Sequence, residues 1–553
     1  MKKILLLSSM IALTMIFLGC SLLTTTTLTT TDSQITSSST TQTTSSASTT
    51  SSTTTTYLER FQTIEIYSIN DYHGGAYSSV SILAKIGDFL KYKKDTTDHT
   101  IIIANGDIFQ GSAFSNYYHG RPIVEIFNNI GFDAFVIGNH EFDWGIDKIA
   151  NYNDGDLTNG EADFPFLAAN IVSTSNEAMM PWTEPYKIVT INGLKVGIIG
   201  VIGDVINSIS ASRVEGYVFQ NVVNSIGEYA NHLRTNENVE VVIAAVHEYD
   251  EATNLAIARL TGSQRIDAVF NGHTHQNQAS YIGENRGRLG AAMPHAQASS
   301  FSDSLLAKIV LIYDRETKTV LTSQSSTLSE SNLSSIDSDI MDIINDYANR
   351  TDYIVFVNEQ LAITKYSFGK TALAPWGSSV IRDYVGVDFG FVNAGGFRVT
   401  MDVGVLTMGE MVEIYPFDNY IKTSQVTGSQ LHDFCAYMIL KSPDIVLDDQ
   451  ASCSDGKFYK NSVELNASTL YTIAAVDYIF DKTNYIFLKG VNITLTEYLM
   501  RDLLVIDLRN NDALYFNPSD GTSYRATPVM VKIPFFQPVT LSYYYQDIQR
   551  PVA

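Results

Sequence analysis

The chain has 553 residues, 45% of them hydrophobic and 17% charged, with 36 Lys and Arg against 59 Asp and Glu for a formal net charge of -23. At roughly 150 residues per domain this length accommodates three or four units, and the apolar fraction is ample for sizeable cores, which excludes a mini-protein and a wholly disordered chain. The acid excess excludes a protein that grips polymeric nucleic acid through a broad basic face, since such binding neutralises phosphates with Lys and Arg, and three cysteines cannot build a disulfide framework.

Met1-Lys2-Lys3 is followed by an uncharged, mostly apolar run from Ile4 to Leu18. That is a positive n-region with an h-region, and it is short of the about 20 residues a membrane span takes. The run ends in Phe17-Leu18-Gly19-Cys20-Ser21, which resembles a bacterial lipobox. The resemblance implies lipidation at Cys20; an ordinary secretory signal is the alternative. From Thr24 to Thr56, 27 of 33 residues are Ser or Thr, so nothing there can bury enough apolar surface to offset chain entropy, and the segment reads as a flexible stalk. The expected arrangement is a folded head on the outer face of a cell membrane, attached through an N-terminal lipid. No later segment reads as a membrane span.

Between Phe61 and about Ser326, short β-branched runs at 63–69, 100–104, 134–137, 187–191, 195–201, 239–246, 266–270 and 307–313 alternate with longer stretches. Residues 80–92 and 222–233 have helical spacing, and the whole is an α/β pattern with buried strands. The Ser-rich segment 322–335 reads as a boundary. Residues 336–347 then place Ile336, Ile340, Ile343, Ile344 and Tyr347 on one face of a helix joining two lobes. The expected units are a signal with its lipidated cysteine at 1–20, a stalk at 21–56, a first lobe at 57–330, a linking helix at 331–352 and a second mixed α/β lobe at 353–553.

Five first-lobe strands run into residues of metal-ligand type: Asn70-Asp71-Tyr72-His73, Asn105-Gly106-Asp107, Gly138-Asn139-His140-Glu141-Phe142-Asp143, His247, and Asn271-Gly272-His273-Thr274-His275. Sites in open α/β sheets form outside the carboxyl ends of strands, so these groups converge on one crevice. Imidazoles, carboxylates and an Asn carbonyl make a mixed N/O set suited to two divalent metal ions (Zn, Mn, Fe or Co). Such a pair, bridged by one carboxylate, activates a water and clamps the oxygens of a phosphoryl transfer.

In this order the motifs resemble the calcineurin-like dinuclear metallophosphatases, and within them the bacterial and animal 5'-nucleotidases. The resemblance implies a four-layer αββα sandwich followed by a second mixed α/β substrate-binding domain. It implies one metal on Asp71, His73, Asp107 and His275, and another on a bridging Asp107 with Asn139, His247 and His273. His140 would be the catalytic histidine, paired with Asp143, whose carboxylate favours a protonated imidazole facing the phosphoryl group. Glu141 reads as structural.

In the second lobe, Asn393-Ala394-Gly395-Gly396-Phe397-Arg398 resembles the family's Asn-x-Gly-Gly-Ile-Arg signature. The implied roles are a base contact from Asn393, close backbone approach at Gly395 and Gly396, and a phosphate fork from Arg398. Tyr415-Pro416-Phe417-Asp418-Asn419 resembles the Pro-Phe-Gly-Asn loop, with Phe417 and Tyr478 as the aromatic pair that sandwiches a base. The family's polar helix start is replaced by Ala372-Leu373-Ala374-Pro375-Trp376-Gly377-Ser378-Ser379, and its Gly-Gly-Asp-Gly by Asp481-Lys482-Thr483-Asn484. Lys370 and Arg382 are only near the places of further phosphate-binding arginines. Cys435 and Cys453 are compatible with a disulfide or with two buried thiols. These readings favour an extracellular metal-dependent phosphohydrolase acting on a nucleotide or other small phosphate ester, most simply a 5'-nucleotidase. A nucleotide-sugar pyrophosphatase, a 2',3'-cyclic-nucleotide phosphodiesterase and a surface binding lipoprotein without turnover are the alternatives.

Overall fold

The computed structural model describes residues 60–76, 79–283, 292–300 and 304–511, together with the backbone of Tyr515–Phe516 and Ser523–Tyr524. The signal, Cys20 and the stalk lie outside the described residues. Twelve strands build the two main sheets of the first lobe: β1 Phe61–Ile69, β2 Thr100–Asn105, β3 Ala134–Val136, β4 Phe166–Leu167, β5 Tyr186–Ile191, β6 Leu194–Ile202, β7 Val241–His247, β8 Ala268–Asn271, β9 Gln278–Ile282, β10 Met293–Gln297, β11 Leu306–Asp314 and β12 Thr319–Leu328. One sheet runs β12-β11-β1-β2-β3-β4 and the other β9-β10-β8-β7-β6-β5.

The alternation of side chains along each strand assembles the layers. Ile64, Ile66, Ile101 and Ile103 of the first sheet meet Ile198, Val241, Ile243 and Phe270 of the second in one core. The intervening Tyr67, Ile69, Ile102 and Ala104 pack beneath helices α1 (Ile82–Thr96) and α2 (Arg121–Ile130). Val242, Ala244 and Val246 pack against helix α3 (Val222–Thr235). Helix, sheet, sheet and helix thus form the αββα sandwich. β1, β2, β3 and β4 are mutually parallel, as are β6, β7, β8 and β10.

Two segments differ from the sequence reading. Residues 322–328 belong to β12, paired antiparallel with β11 (Ile309 against Ser325, Leu311 against Ser323), and are not a boundary. The serine content masked an edge strand, in which β-branched Thr and small Ser suit a face open to solvent. The connector is two helices, α4 (Ser338–Ala348) and α5 (Thr351–Val357), rather than one. Asp337 caps α4 by accepting from the Ile340 amide at 3.0 Å. Ile340 and Ile344 complete the first-lobe core, where Gly87 of α1 admits them: a Cβ there would stand 2.0 Å from Ile340 Cδ1. Tyr118, Tyr347 and Tyr353 with Phe114, Tyr117 and Phe356 form an aromatic cluster at this junction, and the Arg350 guanidinium lies 3.7 Å over the Tyr347 ring.

The second lobe is a mixed sheet of β13 (Phe389–Val392), β14 (Tyr420–Thr427), β15 (Val446–Leu447), β16 (Leu470–Val476) and β17 (Val491–Leu499), ordered β15-β13-β16-β14-β17. Its helices α6 (Lys370–Val385), α7 (Gly428–Lys441) and α8 (Met500–Asn511) share one apolar core with it. Cys435 of α7 and Cys453 are disulfide-bonded, with Cα atoms 5.5 Å apart, which resolves the two sequence alternatives.

Candidate active site

The parallel strands β1, β2, β3, β7 and β8 deliver their carboxyl ends to one edge of the sandwich, and there the five groups of ligand-type residues meet. The chain leaves the strands abruptly. Asp71, His73, Asp107, His273 and His275 have φ of 51, 50, 55, 71 and 53°, the left-handed region that non-glycine residues rarely occupy. Such backbone persists where surrounding bonds over-determine it, and they do: Asp71 and His73 donate their amides to the Gly106 and Asp107 carbonyls at 2.9 and 3.0 Å. Gly106 is obligatory, since a Cβ would stand 2.2 Å from His247 Nδ1. Glu141 ties the loops from below, its carboxylate accepting the amides of Asp107, Ile108 and Gly138 at 2.8 Å each; its role is structural.

The side chains divide into two facing sets, and a third group of His73, Asp107 and His140 between them ties Asp107 to both. Donor atoms of Asp71, His73 and His275 lie within 4.8 Å of one another, as do those of Asp107, His247 and His273. Asn139 joins the second set through Oδ1, 2.8 Å from His273 Nδ1. The tautomers favour a cation at each set. His247 gives its Nδ1 hydrogen to the Asn105 carbonyl at 2.8 Å, so the buried Nε2 lone pair faces an Asp107 carboxylate oxygen 3.1 Å away. His73 likewise donates Nδ1 to the Gln110 carbonyl at 3.0 Å and turns Nε2 toward His275 Nε2 at 3.2 Å. Acceptors that face acceptors in a buried setting require a positive charge between them. Burial opposes a charged His247, yet Asp107 outweighs it and pushes the imidazole up to about 10; a metal ion can stand where that proton stands. Burial, reinforced by His140, holds His73 well below the ordinary imidazole range and so keeps its lone pair available. The donor set therefore fits two divalent cations of borderline type.

His140 belongs to neither outer set, but its donor atom lies within 4.8 Å of those of His73 and Asp107, so it stands between them. Its amide donates to Asp107 Oδ1 at 2.8 Å, and its Nδ1 meets Asp143 Oδ2 at 2.7 Å. Burial disfavours the imidazolium, but the Asp143 and Asp107 charges outweigh it and raise the His140 pKa. The pair is a positioned donor backed by a carboxylate.

The second lobe closes over the centre. Asp107, Asn139, His140, Asp143, His273 and His275 line a cleft whose opposite wall carries Asn393, Gly395, Arg398, Phe417 and Tyr478. The Phe417 ring stacks on His140 with centroids 5.6 Å apart, and the Arg398 guanidinium lies 5.8 Å from the centre of Phe417. Asp71, His73 and His247 sit behind the cleft wall. Gly396 is not part of the lining: it packs beneath Tyr415, whose ring a Cβ would meet at 2.8 Å. Lys370 does not line the cleft either, and Arg382 is engaged by Asp383, Asp448 and Asp449. Trp376 donates Nε1 to Asp507 at 2.7 Å, so the apolar start of α6 serves the packing of α8. Asp418 and Asn419 of the Phe417 loop line it too, and Ser208, Ser210, Arg213 and Asp444 join them without a motif of their own in the sequence. Ser208, Ser210 and Arg213 follow β6, itself a parallel strand, so the rule that located the metal ligands also locates them.

Residues 64–277 match the calcineurin-like phosphoesterase family and residues 320–458 the 5'-nucleotidase C-terminal domain. The chain is 26% identical over 409 residues to "Endonuclease YhcR" of Bacillus subtilis, which covers 67% of this chain and 32% of that protein. It is 23% identical over 412 residues to "Trifunctional nucleotide phosphoesterase protein YfkN" of the same organism, covering 67% of this chain and 27% of the relative. The chain thus spans about a third of the length of these curated relatives. A 5'-nucleotidase precursor from Thermus thermophilus shares the fold, with a TM-score of 0.65 at 16% identity over 82% of this chain and 97% of the other.

Proposed function

Since the chain belongs to the calcineurin-like phosphoesterases that carry a 5'-nucleotidase C-terminal domain, we propose that it is a metal-dependent 5'-nucleotidase, releasing phosphate from nucleoside monophosphates at the outer face of a cell membrane. The observation that carries this reading is the shared cleft: Asp107, His273 and His140 face Arg398, Phe417 and Tyr478 across one space. A phosphate and a planar base find their partners there at the same time.

Asp71, His73, Asp107 and His275 would hold one divalent ion and Asp107, Asn139, His247 and His273 another, and the pair would supply polarisation of a water and of the phosphoryl oxygens. His140, oriented by Asp143, donates to a phosphoryl oxygen as negative charge grows there. Arg398 offers its planar fork to the phosphate. Phe417 and Tyr478 provide aromatic faces for the base, and Asn393 an amide oxygen that is buried without a partner among the described residues. Held this way, the substrate presents its phosphorus to the metal side and its nucleoside to the second lobe. Attachment at Cys20 rests on the lipobox-like segment and the Ser/Thr stalk, and among the described residues no helix is long and apolar enough to cross a membrane.

The test is phosphate release from AMP by the purified protein with Mn or Zn. Release is expected, and its absence with either metal would remove the nucleotidase reading. Attachment is checked in cells with Cys20→Ser, which should free the protein into the medium; retention of that variant at the membrane would refute the lipid anchor.

A further inference from the structure

Strand β17 (Val491–Leu499) ends the second-lobe sheet, and among the described residues no strand pairs with its outer edge. Two other edges are blunted: β15, at the far side of the same sheet, has two residues, and β12 of the first lobe presents Thr and Ser to solvent. β17 is different. It is nine residues long, has one charged residue, Glu497, and leaves Val491, Ile493 and Leu495 exposed by 54, 47 and 59%. A long apolar edge with open main-chain donors and acceptors is a template for a further strand.

The same chain contains a segment of matching pattern. Residues 525–553 lie outside the described residues, and within them Val539, Leu541, Tyr543 and Tyr545 alternate with Thr540, Ser542 and Tyr544. That is the two-residue period of a strand with one apolar face. In β17, Val491, Ile493 and Leu495 alternate with Asn492, Thr494 and Thr496 in the same way. Pro538 stands just before the tail run, where a strand tolerates a missing amide hydrogen. The tail also lacks the composition of a solvated chain: Phe535, Phe536 and three consecutive tyrosines stand against four charged residues. Three of those four are basic (Arg525, Lys532 and Arg550), opposite in sign to the -23 of the whole chain. Its reach is sufficient. The backbone at Ser523–Tyr524 lies against α6, α6 packs on α8, and α8 packs on β17, a path of at most two helix diameters, roughly 20–24 Å. The 14 residues from Arg525 to Pro538 extend to about 46 Å. We propose that Val539–Tyr545 adds to the outer edge of β17 as a sixth strand of the second-lobe sheet. Main-chain hydrogen bonds join the two, and the apolar side chains of each lie beside those of the other. The tail thereby covers an edge that would otherwise join copies of the protein.

The experiment uses the full chain. Photoreactive p-benzoylphenylalanine replaces Leu495, and after irradiation the products are separated by mass and the captured segment is identified by peptide mapping. Capture of residues 539–545 in a product of monomer mass is expected. Capture in a product of dimer mass would assign the edge to a second copy, capture of another segment would assign it a different cover, and no adduct would leave it open; each of these overturns the proposal. Amide hydrogen exchange is followed alongside across 491–499, where alternate amides point away from β14, in wild type and in Leu541→Pro, which removes a main-chain donor from the tail. Those amides should exchange about tenfold faster or more in Leu541→Pro, with the peptides of β13 unchanged. Equal rates in the two proteins would overturn strand addition at Val539–Tyr545, as would wild-type amides that all exchange at the rate of an unfolded chain.

Discussion

Asp107 connects every part of the centre: it faces His247 Nε2 at 3.1 Å, accepts the His140 amide at 2.8 Å and sends its own amide to Glu141. On the proposed assignment both metal sets share it, whereas Asn139 belongs to one. Mass spectrometry of the native protein should find about two ions per chain, with Asp107→Ala losing both and Asn139→Ala retaining at least one. Equal loss in the two variants would refute Asp107 as the shared ligand. In the proposed mechanism His140 acts through a hydrogen bond that strengthens as charge develops, so His140→Ala should lower kcat roughly a hundredfold to a thousandfold with metal content unchanged. A variant that turned over AMP at the wild-type rate would remove His140 from the mechanism. The convergence of these residues was legible because residue type and position after a strand already restrict where they meet. Ser208, Ser210 and Arg213 were legible only through their place after β6, whereas Asp444 was not, since a lone Asp in a loop has no local signature and acquires a role only from what folds across from it.

At the scale of elements, the sheets owe their ends to a few polar contacts. Arg60, just before β1, grips Asp314 at the end of β11 through Nε and Nη2 at 3.0 and 2.8 Å, and closes the antiparallel pair there. The Arg60 hydrogen bond, with the Glu316 amide, lowers the Asp314 carboxyl to about 2. A depressed carboxylate stabilises the fold above its unfolded pKa of about 3.9, and that contribution disappears as pH falls through about 2. The denaturation midpoint of Asp314→Asn should therefore lie below wild type at pH 5 and converge on it near pH 2; a gap that stayed constant across this range would contradict the assignment. Strand positions were readable because uninterrupted Ile, Val and Ala runs can only be buried. The edge strand β12 was not, because its Thr and Ser carry no periodic apolar signal, and its place is set by pairing with β11.

For the whole molecule, a net charge of -23 means that a nucleotide approaches against the field until it is inside the cleft. Screening falls within about 8 Å at physiological ionic strength, so raising salt from low to physiological concentration should increase kcat/KM for AMP, the reverse of a positively steered enzyme. A steady decrease with salt would show that the cleft's own positive groups dominate at long range. The second lobe has a separate reinforcement in the Cys435–Cys453 bond, which closes a loop of sequence separation 18. Loops of that size contribute about 3 kcal/mol. Reduction or Cys453→Ser should lower the melting temperature while leaving metal content intact, and loss of metal with the disulfide would show that the lobes do not respond separately.

The sequence by itself determined the α/β class, the strands that end on ligand residues and the chemistry of the metal donors, because burial of apolar runs and the coordination habits of His, Asp and Asn are local properties. Tertiary structure decided the rest: the left-handed turns that aim Asp71, His73, Asp107, His273 and His275, the closure of Cys435 with Cys453, the displacement of Gly396 into packing and the arrival of Arg213 beside Asp143. Each of these depends on which surfaces lie opposite one another. Two lobes far apart in the chain make one cleft, and only their packing determines which charges face the same ligand.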